Sequence, residues 1–206
     1  MERSLFMKIG IDIDGVLNDE ATFLIDYGTK YLYENCLDYS IDTSKNGTHN
    51  IYDWSIEVNT CFWEKYYSIY LASNHYIRQF SSEIILKLYQ RHEIHIITAR
   101  DNHNTRLSQK EVESLTQDWL HKNYFQYNSL VFTKDKRQYI QEKGIDIMIE
   151  DNPELIQELC EDISVLCYHT SYNTYVNGKN IFRVNSWYEV LKTIDNLIKI
   201  GRKNDD

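Results

Sequence analysis

Two carboxylates, Asp12 and Asp14, stand two positions apart at the end of the apolar run 8–12. Side chains two apart along a strand face the same side, so both carboxylates can point together where the strand ends, and Gly15 permits a sharp exit of the chain. Carboxylates this close resist being ionised together unless a cation is present. The pair therefore indicates a divalent-metal site, a carboxyl group that keeps its proton and serves as an acid, or only a turn in which aspartate caps a helix.

Further polar side chains follow other short apolar runs. Thr98 ends the run IHIIT, Lys134 follows SLVFT, and Glu150 and Asp151 follow IDIMI. Ligands of parallel α/β sheets bind at the carboxyl ends of the strands, and loop residues held on a rigid scaffold are good candidates for function. These four residues are therefore predicted to share one site with the two aspartates.

The elements that must position these side chains alternate along the chain. Five apolar runs are predicted as buried strands: residues 8–12, 94–98, 129–133, 146–149 and 163–168. Helical patterns lie between or after them, at residues 83–91, 108–124, 136–143, 153–161 and 187–200. Strands that alternate with helices form βαβ units, so the predicted fold is α/β with a parallel sheet.

Residues 18–82 interrupt this alternation. They are predicted to hold helices at residues 20–35 and 59–71 and a polar loop at residues 43–50. This segment carries 14 of the 28 aromatic residues, with aromatic side chains repeating four positions apart. That spacing is typical of a helix face packed in a core, and the segment is predicted to be a small helical insertion above the strand ends.

Length, charge and composition exclude several classes of function. A chain of 206 residues exceeds a typical domain of ~150, which fits one core domain with an insertion. The net charge of −9 disfavours binding to a nucleic acid polymer or an anionic membrane, and no apolar run approaches the ~20 residues of a membrane span. The four cysteines form no CxxC pair, and we expect reduced thiols in a cytoplasmic protein.

The motifs together resemble those of the haloacid dehalogenase-like (HAD) hydrolases. DIDGVL at residues 12–17 resembles the first motif of that superfamily, and TAR at residues 98–100 resembles the second. Lys134 resembles the third, and the pair Glu150–Asp151 resembles the fourth in its paired-acid form. All four follow predicted strands in the expected order. Residues 7–17 and 83–200 carry this resemblance.

The resemblance implies a domain organisation. It predicts a Rossmann-like, HAD-like parallel-sheet core formed by residues 1–17 and 83–206. It also predicts that residues 18–82 form a small helical cap inserted after the first strand.

The resemblance also implies roles in phosphoryl transfer. Asp12 would attack phosphorus and carry an aspartyl-phosphate, while Asp14 would protonate the leaving oxygen and then deprotonate water. Lys134 would balance the charge of Asp12 and the phosphate, although Lys136 and Arg137 of the string KDKR compete for that role.

The implied cofactor is Mg²⁺, which prefers oxygen ligands. Its expected ligands are the carboxylates of Asp12 and Asp151 and the backbone carbonyl of Asp14. Glu150 is expected to lie beside the metal site without direct contact, although the reverse order of the acidic pair stays open.

Three neighbouring residues are expected to meet the phosphate. The Thr98 hydroxyl and the Ala99 N–H can bind phosphate oxygens, although Thr98 could instead cap a turn. Arg100 could reach the substrate phosphate or pair with Asp101; both alternatives stay open.

Among HAD enzymes, the chain resembles the 5′(3′)-deoxyribonucleotidases and their bacterial relatives, on DIDGVL, IYDW, FWEKYY, IITAR and EDNP. The expected activity is therefore hydrolysis of (deoxy)nucleoside monophosphates, and Trp54, Phe62 and Trp63 are candidates to stack on the base. The alternatives are a phosphatase for sugar phosphates or other small phosphomonoesters, and a non-catalytic HAD-like binding module.

Overall fold

The computed structural model describes residues 6–38, 40–102 and 105–204, and the side chains of residues up to 200. These residues form six strands: β1 (Lys8–Ile11), β2 (Glu93–Thr98), β3 (Ser129–Phe132), β4 (Ile147–Glu150), β5 (Ser164–Tyr168) and β6 (Ile181–Val184). The same residues form eight helices: α1 (Glu20–Glu34), α2 (Thr48–Tyr52), α3 (Ile56–Ala72), α4 (Ser81–Tyr89), α5 (Gln109–Lys122), α6 (Lys136–Lys143), α7 (Pro153–Leu159) and α8 (Trp187–Asn204).

The strands form one parallel sheet in the order β3-β2-β1-β4-β5-β6, which confirms the predicted fold class. Strand β1 pairs with β2 on one side and with β4 on the other. The chain thus winds outward in both directions from β1, and such a switch point opens a crevice at the carboxyl ends of the strands. Asp12, Thr98 and Glu150 all lie at this edge.

Strand β6 was not predicted from the sequence. It has four residues, three of them half-exposed, and Arg183 interrupts its apolar pattern. An edge strand buries little, so its sequence carries a weak signal.

The two faces of the sheet are buried under different helices. Ile9 and Ile11 face a hydrophobic cluster that includes side chains of α4, α5 and α8, while Met148 faces a second cluster with α6 and α7. Gly10 points toward the second cluster, where an added Cβ would lie 2.7 Å from the sulfur of Met148. A glycine is therefore required there by close packing, and β1 is held at the centre of the sheet.

Helices α1, α2 and α3, here called the helical layer, share a separate hydrophobic cluster. Asp19 caps α1 and Ser55 caps α3 through their side-chain oxygens. Because Ser55 supplies this cap, α3 begins at Ile56, three residues before the predicted start. Helix α2 lies partly within the predicted loop and was missed because it is only five residues long. The layer packs on the core through α3 and α5.

Candidate active site

A cavity of about 380 Å³ opens at the carboxyl ends of β1, β2 and β4. Among the described residues, seven carboxylates and two lysines line it, and Glu20 and Asn46 of the segment between β1 and α4 form part of its wall. The sequence therefore predicted the location of the cavity through the polar residues that follow these strands.

Asp12 is the buried carboxylate at the end of β1. Its backbone N–H donates to the carbonyl of Ile149 at 3.1 Å, which continues the β1–β4 pairing and fixes the start of the loop. Its side chain contacts Lys136 at 2.8 Å. Burial, and next the negative charge of Glu150, raise the pKa of Asp12 to about 7, against the opposing effect of Lys136.

The lysine beside Asp12 is Lys136, which corrects the sequence prediction of Lys134. Lys136 is the first residue of α6, and its ammonium lies 2.8 Å from both Asp12 and Glu150 with only 6% of the side chain exposed. Lys134 has a side chain that is 73% exposed and pairs with Asp101 at the rim of the cavity. The turn after β3 directs the Lys134 side chain toward solvent. Lys136, at the start of α6, is the basic residue that points toward Asp12.

Glu150 and Asp151 use their oxygens differently. One oxygen of Glu150 accepts from Lys136, and the other accepts the backbone N–H groups of Asp151 and Asn152, each at 3.1 Å. Asp151 accepts a hydrogen bond from the hydroxyl of Tyr172 on one oxygen. Glu150 therefore anchors Lys136 and the loop, which supports the prediction that Asp151 is the direct metal ligand.

Asp12, Glu150 and Asp151 form an acidic cluster that could hold a divalent cation. One carboxylate oxygen from each lies within 4.8 Å of the others, and all three residues are buried. Burial, followed by the charges of Glu150 and Asp12, raises the pKa of Asp151 well above its usual range. A cation would relieve this repulsion. Gly15 is also needed here, because an added Cβ would overlap the Asp151 carboxylate and φ is +79°.

Asp14 is held by donors from three elements. The Arg100 guanidinium contacts its two oxygens at 2.6–3.1 Å, Asn18 donates to it at 3.0 Å, and the Tyr70 hydroxyl of α3 donates to it. Burial alone would raise the pKa of Asp14, but the Arg100 charge and these hydrogen bonds outweigh burial and lower it. Arg100 thus has a partner that neither of the two sequence alternatives named, and its part in phosphate binding stays a prediction.

Thr98 and Ala99 lie at the end of β2. The buried Thr98 hydroxyl accepts the backbone N–H of Arg100 at 3.3 Å, which is the turn-capping alternative. Ala99 is exposed and lines the cavity. Its part in phosphate binding, like that of Thr98, stays a prediction.

The aromatic side chains proposed for base stacking pack against one another. Trp54 is only 6% exposed and stacks on Tyr52 at 4.5 Å, and Phe62 is fully buried. Trp63 is half-buried, with its ring edge-on to Phe62 and Tyr70. Neither tryptophan is among the described residues that line the cavity. Trp54 is therefore a core residue of the helical layer, which corrects its expected role.

Several residues of the described site, Asn18 among them, were missed from the sequence. Glu20 and Asn46 line the cavity, Tyr70 contacts Asp14, and Tyr172 contacts Asp151. Partial burial beside the charges of Asp14 and Asp12 raises the pKa of Glu20 to about 8. The sequence signal that could have identified Glu20 is its position at the start of the first helix after the DIDGVL string. Tyr70 has the same spacing as the core aromatics, and Tyr172 follows β5 with no motif around it.

Residues 6–200 match the family described as 5′ nucleotidase, deoxy (pyrimidine), cytosolic type C protein. The chain belongs to this family. It is 30% identical over 196 residues to a nucleotidase of Clostridium acetobutylicum, and the match covers 94% of this chain and 96% of that protein. The resemblance to HAD phosphatases is thereby confirmed, and the chain is a HAD-family phosphatase of the nucleotidase type.

Solved structures share the fold of this nucleotidase-family chain at low identity. A haloacid dehalogenase-like hydrolase of Streptococcus pneumoniae is 14% identical with a TM-score of 0.63, covering 92% of this chain and 98% of that one. A β-phosphoglucomutase of Clostridium difficile is 13% identical with a TM-score of 0.59, covering 95% and 98%. Among the described residues, no helix combines the length and apolar character needed to cross a membrane.

Proposed function

We propose that this protein is a Mg²⁺-dependent phosphomonoester hydrolase that works through an aspartyl-phosphate and acts on (deoxy)nucleoside monophosphates. The observation that carries the proposal is the position of Asp12. It is buried at the switch point of the sheet, 2.8 Å from Lys136, and is adjacent to the acidic pair Glu150–Asp151.

The first half of the reaction would use Asp12 as the nucleophile. A carboxylate oxygen of Asp12 attacks phosphorus, and the bond from phosphorus to the leaving oxygen breaks. The leaving oxygen must receive a proton, and Asp14 would supply it. Because Arg100 and the other donors favour the ionised form of Asp14, it would take up that proton only when the charge of the bound phosphate raises its pKa. Lys136 favours the ionised, nucleophilic form of Asp12 and offsets negative charge on the phosphoryl group.

The second half would release phosphate. Asp14, now ionised, takes a proton from water as the water oxygen attacks phosphorus. The bond between phosphorus and the Asp12 oxygen breaks, so inorganic phosphate leaves and the carboxylate is regenerated. The donors that surround Asp14 suit this half of the reaction, because they favour its ionised form.

Asp12 and Asp151, with the backbone carbonyl of Asp14, would hold Mg²⁺, which neutralises phosphoryl charge when bound. Thr98 and Ala99 would place phosphate oxygens at the end of β2. We also propose that residues 18–82 act as the cap domain over a core of residues 1–17 and 83–206, and that the protein works in the cytoplasm.

One observation favours the second candidate, a phosphatase for sugar phosphates or other small phosphomonoesters. The segment between β1 and α4 contributes Glu20 and Asn46 to the cavity wall, and both offer hydrogen bonds. Sugar hydroxyls would fit such a wall as well as a base would. The nucleotide remains our first choice because the chain belongs to the nucleotidase family and its 30% identical relative is named a nucleotidase.

The test is a substrate panel with purified protein. Nucleoside 5′-monophosphates, deoxy forms included, are expected to show higher kcat/KM than sugar phosphates of similar charge. EDTA should abolish activity and added Mg²⁺ should restore it. If sugar phosphates lead the ranking, the nucleotide assignment is wrong while the phosphatase assignment stands. If a chelated sample keeps full activity, the metal assignment is wrong.

A further inference from the structure

The guanidinium of Arg100 is committed to contacts within the protein. Its Nε and Nη2 donate to Asp14, and its Nη1 donates to the hydroxyl of Thr116 at 3.3 Å. Only 2% of the side chain is exposed. A substrate phosphate would have to displace one of these partners, so Arg100 does not act as a phosphate ligand in this arrangement.

Two aromatic rings lie near the same guanidinium. It lies 5.4 Å from the centre of the Tyr70 ring and 5.8 Å from that of Trp119. Trp119 is itself held, because its indole N–H donates to the carbonyl of Ser73 at 2.7 Å. Arginine over aromatic faces gains cation–π attraction, and the fork geometry of arginine matches a carboxylate. The site is therefore built to hold Arg100 against Asp14.

Tyr70 and Asn18 complete this arrangement around Asp14. The Tyr70 hydroxyl donates to Asp14, and the Asn18 amide donates both to Asp14 and to the oxygen of Tyr70, each at 3.0 Å. The other end of the Asn18 side chain accepts the N–H of Gly15 at 2.9 Å. Tyr70 belongs to the helical layer, whereas Arg100 belongs to the core. The orientation of one carboxylate thus depends on both parts of the molecule.

We propose that Arg100 is a positioning residue that, together with Tyr70, holds the Asp14 carboxylate toward the cavity and ties the helical layer to the reacting groups. It acts on turnover through Asp14 and not by contact with the phosphate. This inference rests on the proposed phosphatase function for its kinetic test.

The kinetic test is a double-mutant cycle with Arg100→Met and Asp14→Asn. Methionine retains an unbranched apolar stem near the two rings and removes the charge. Arg100→Met is expected to lower kcat by about a hundredfold with KM within about threefold, because catalytic alignment is lost but phosphate contacts remain. In the Asp14→Asn background the same change should have almost no further effect, since residues that act as a unit are not additive.

Three further variants sharpen the test. Arg100→Lys keeps the charge without the fork and should recover part of the lost kcat; it also serves if Arg100→Met does not fold. Tyr70→Phe keeps the ring, removes the hydroxyl and should lower kcat by about tenfold or less. The matched control is Arg91→Met, which removes an exposed arginine that pairs with Asp195 and does not line the cavity. Its kcat and KM should be unchanged.

Inorganic phosphate binding, measured by calorimetry in the presence of Mg²⁺, separates the two roles of Arg100. The proposal expects Arg100→Met to bind phosphate within about threefold of the wild type. A loss of about tenfold or more in phosphate affinity overturns the proposal and makes Arg100 a phosphate ligand. Additive effects in the kinetic cycle also overturn it, because Arg100 would then not act through Asp14. These results leave the proposed function intact. A wild-type protein that hydrolyses no phosphomonoester overturns both proposals.

Discussion

Replacing Lys136 with methionine should damage both activity and stability, whereas the same change at Lys134 should do little. Lys136 makes two ion pairs at 2.8 Å with Asp12 and Glu150, in a position where only 6% of the side chain is exposed. Breaking a buried ion pair by removing one partner typically costs about 3–5 kcal/mol, because the remaining charge is left uncompensated. Exposed pairs such as that of Lys134 contribute about 0–1 kcal/mol.

Two assays measure this contrast. Urea unfolding at pH 7.5 should place Lys136→Met about 3 kcal/mol below the wild type in free energy of unfolding and Lys134→Met within about 1 kcal/mol. Hydrolysis of a nucleoside monophosphate should slow by at least about a hundredfold in Lys136→Met, or ~2.7 kcal/mol of barrier. Lys136→Arg keeps the charge and controls for loss of folding. If Lys134→Met lost as much activity as Lys136→Met, our choice of lysine would be refuted.

Three other perturbations test separate parts of the site. Tyr172→Phe removes the hydroxyl that donates to Asp151 and should raise the Mg²⁺ concentration for half-maximal rate by about tenfold, as loss of such supporting hydrogen bonds typically does; an unchanged requirement would show that Tyr172 does not support the metal site. Glu20→Gln should change the ranking of kcat/KM among different leaving groups more than it changes hydrolysis of a small generic ester, and equal slowing of all esters would exclude a role for Glu20 in selectivity. Because the pKa of Asp12 is raised from 3.8 to about 7, the folded state binds a proton more tightly than the unfolded chain, so in EDTA the free energy of unfolding should fall as pH rises from 5 to 8. Added Mg²⁺ should reverse that loss most strongly at pH 8, and thermal melts that do not vary with pH would contradict the raised pKa.

The sheet and the location of the site could be predicted because both depend on short-range patterns. The apolar run IHIIT, for example, forms most of the buried strand β2, and a parallel sheet brings the residues that follow its strands to one edge. The order of the motifs added the expected roles of Asp12, Asp14 and Asp151. Five of the six strands were found in this way.

The contacts of individual side chains could not be predicted, because they depend on turns and on long-range packing. Whether Lys134 or Lys136 enters the site depends on the turn before α6, which a list of basic residues does not specify. Arg100 meets Asp14 across 86 positions of sequence, and Tyr172 meets Asp151 from the loop after β5. Trp54 was predicted to stack on a base because the sequence does not show that its ring already stacks on Tyr52 in the folded protein.

The central claim is that Asp12 carries the phosphoryl group, and trapping the intermediate tests it most directly. The enzyme is mixed with a nucleoside monophosphate and Mg²⁺, quenched in acid within one turnover, and treated with borohydride, which reduces an aspartyl-phosphate to homoserine. Peptide mass mapping should find homoserine at position 12 in the wild type and at no other aspartate, and Asp12→Asn should show neither the label nor turnover. Turnover without modification of Asp12, or a label on a different carboxylate, would contradict the account.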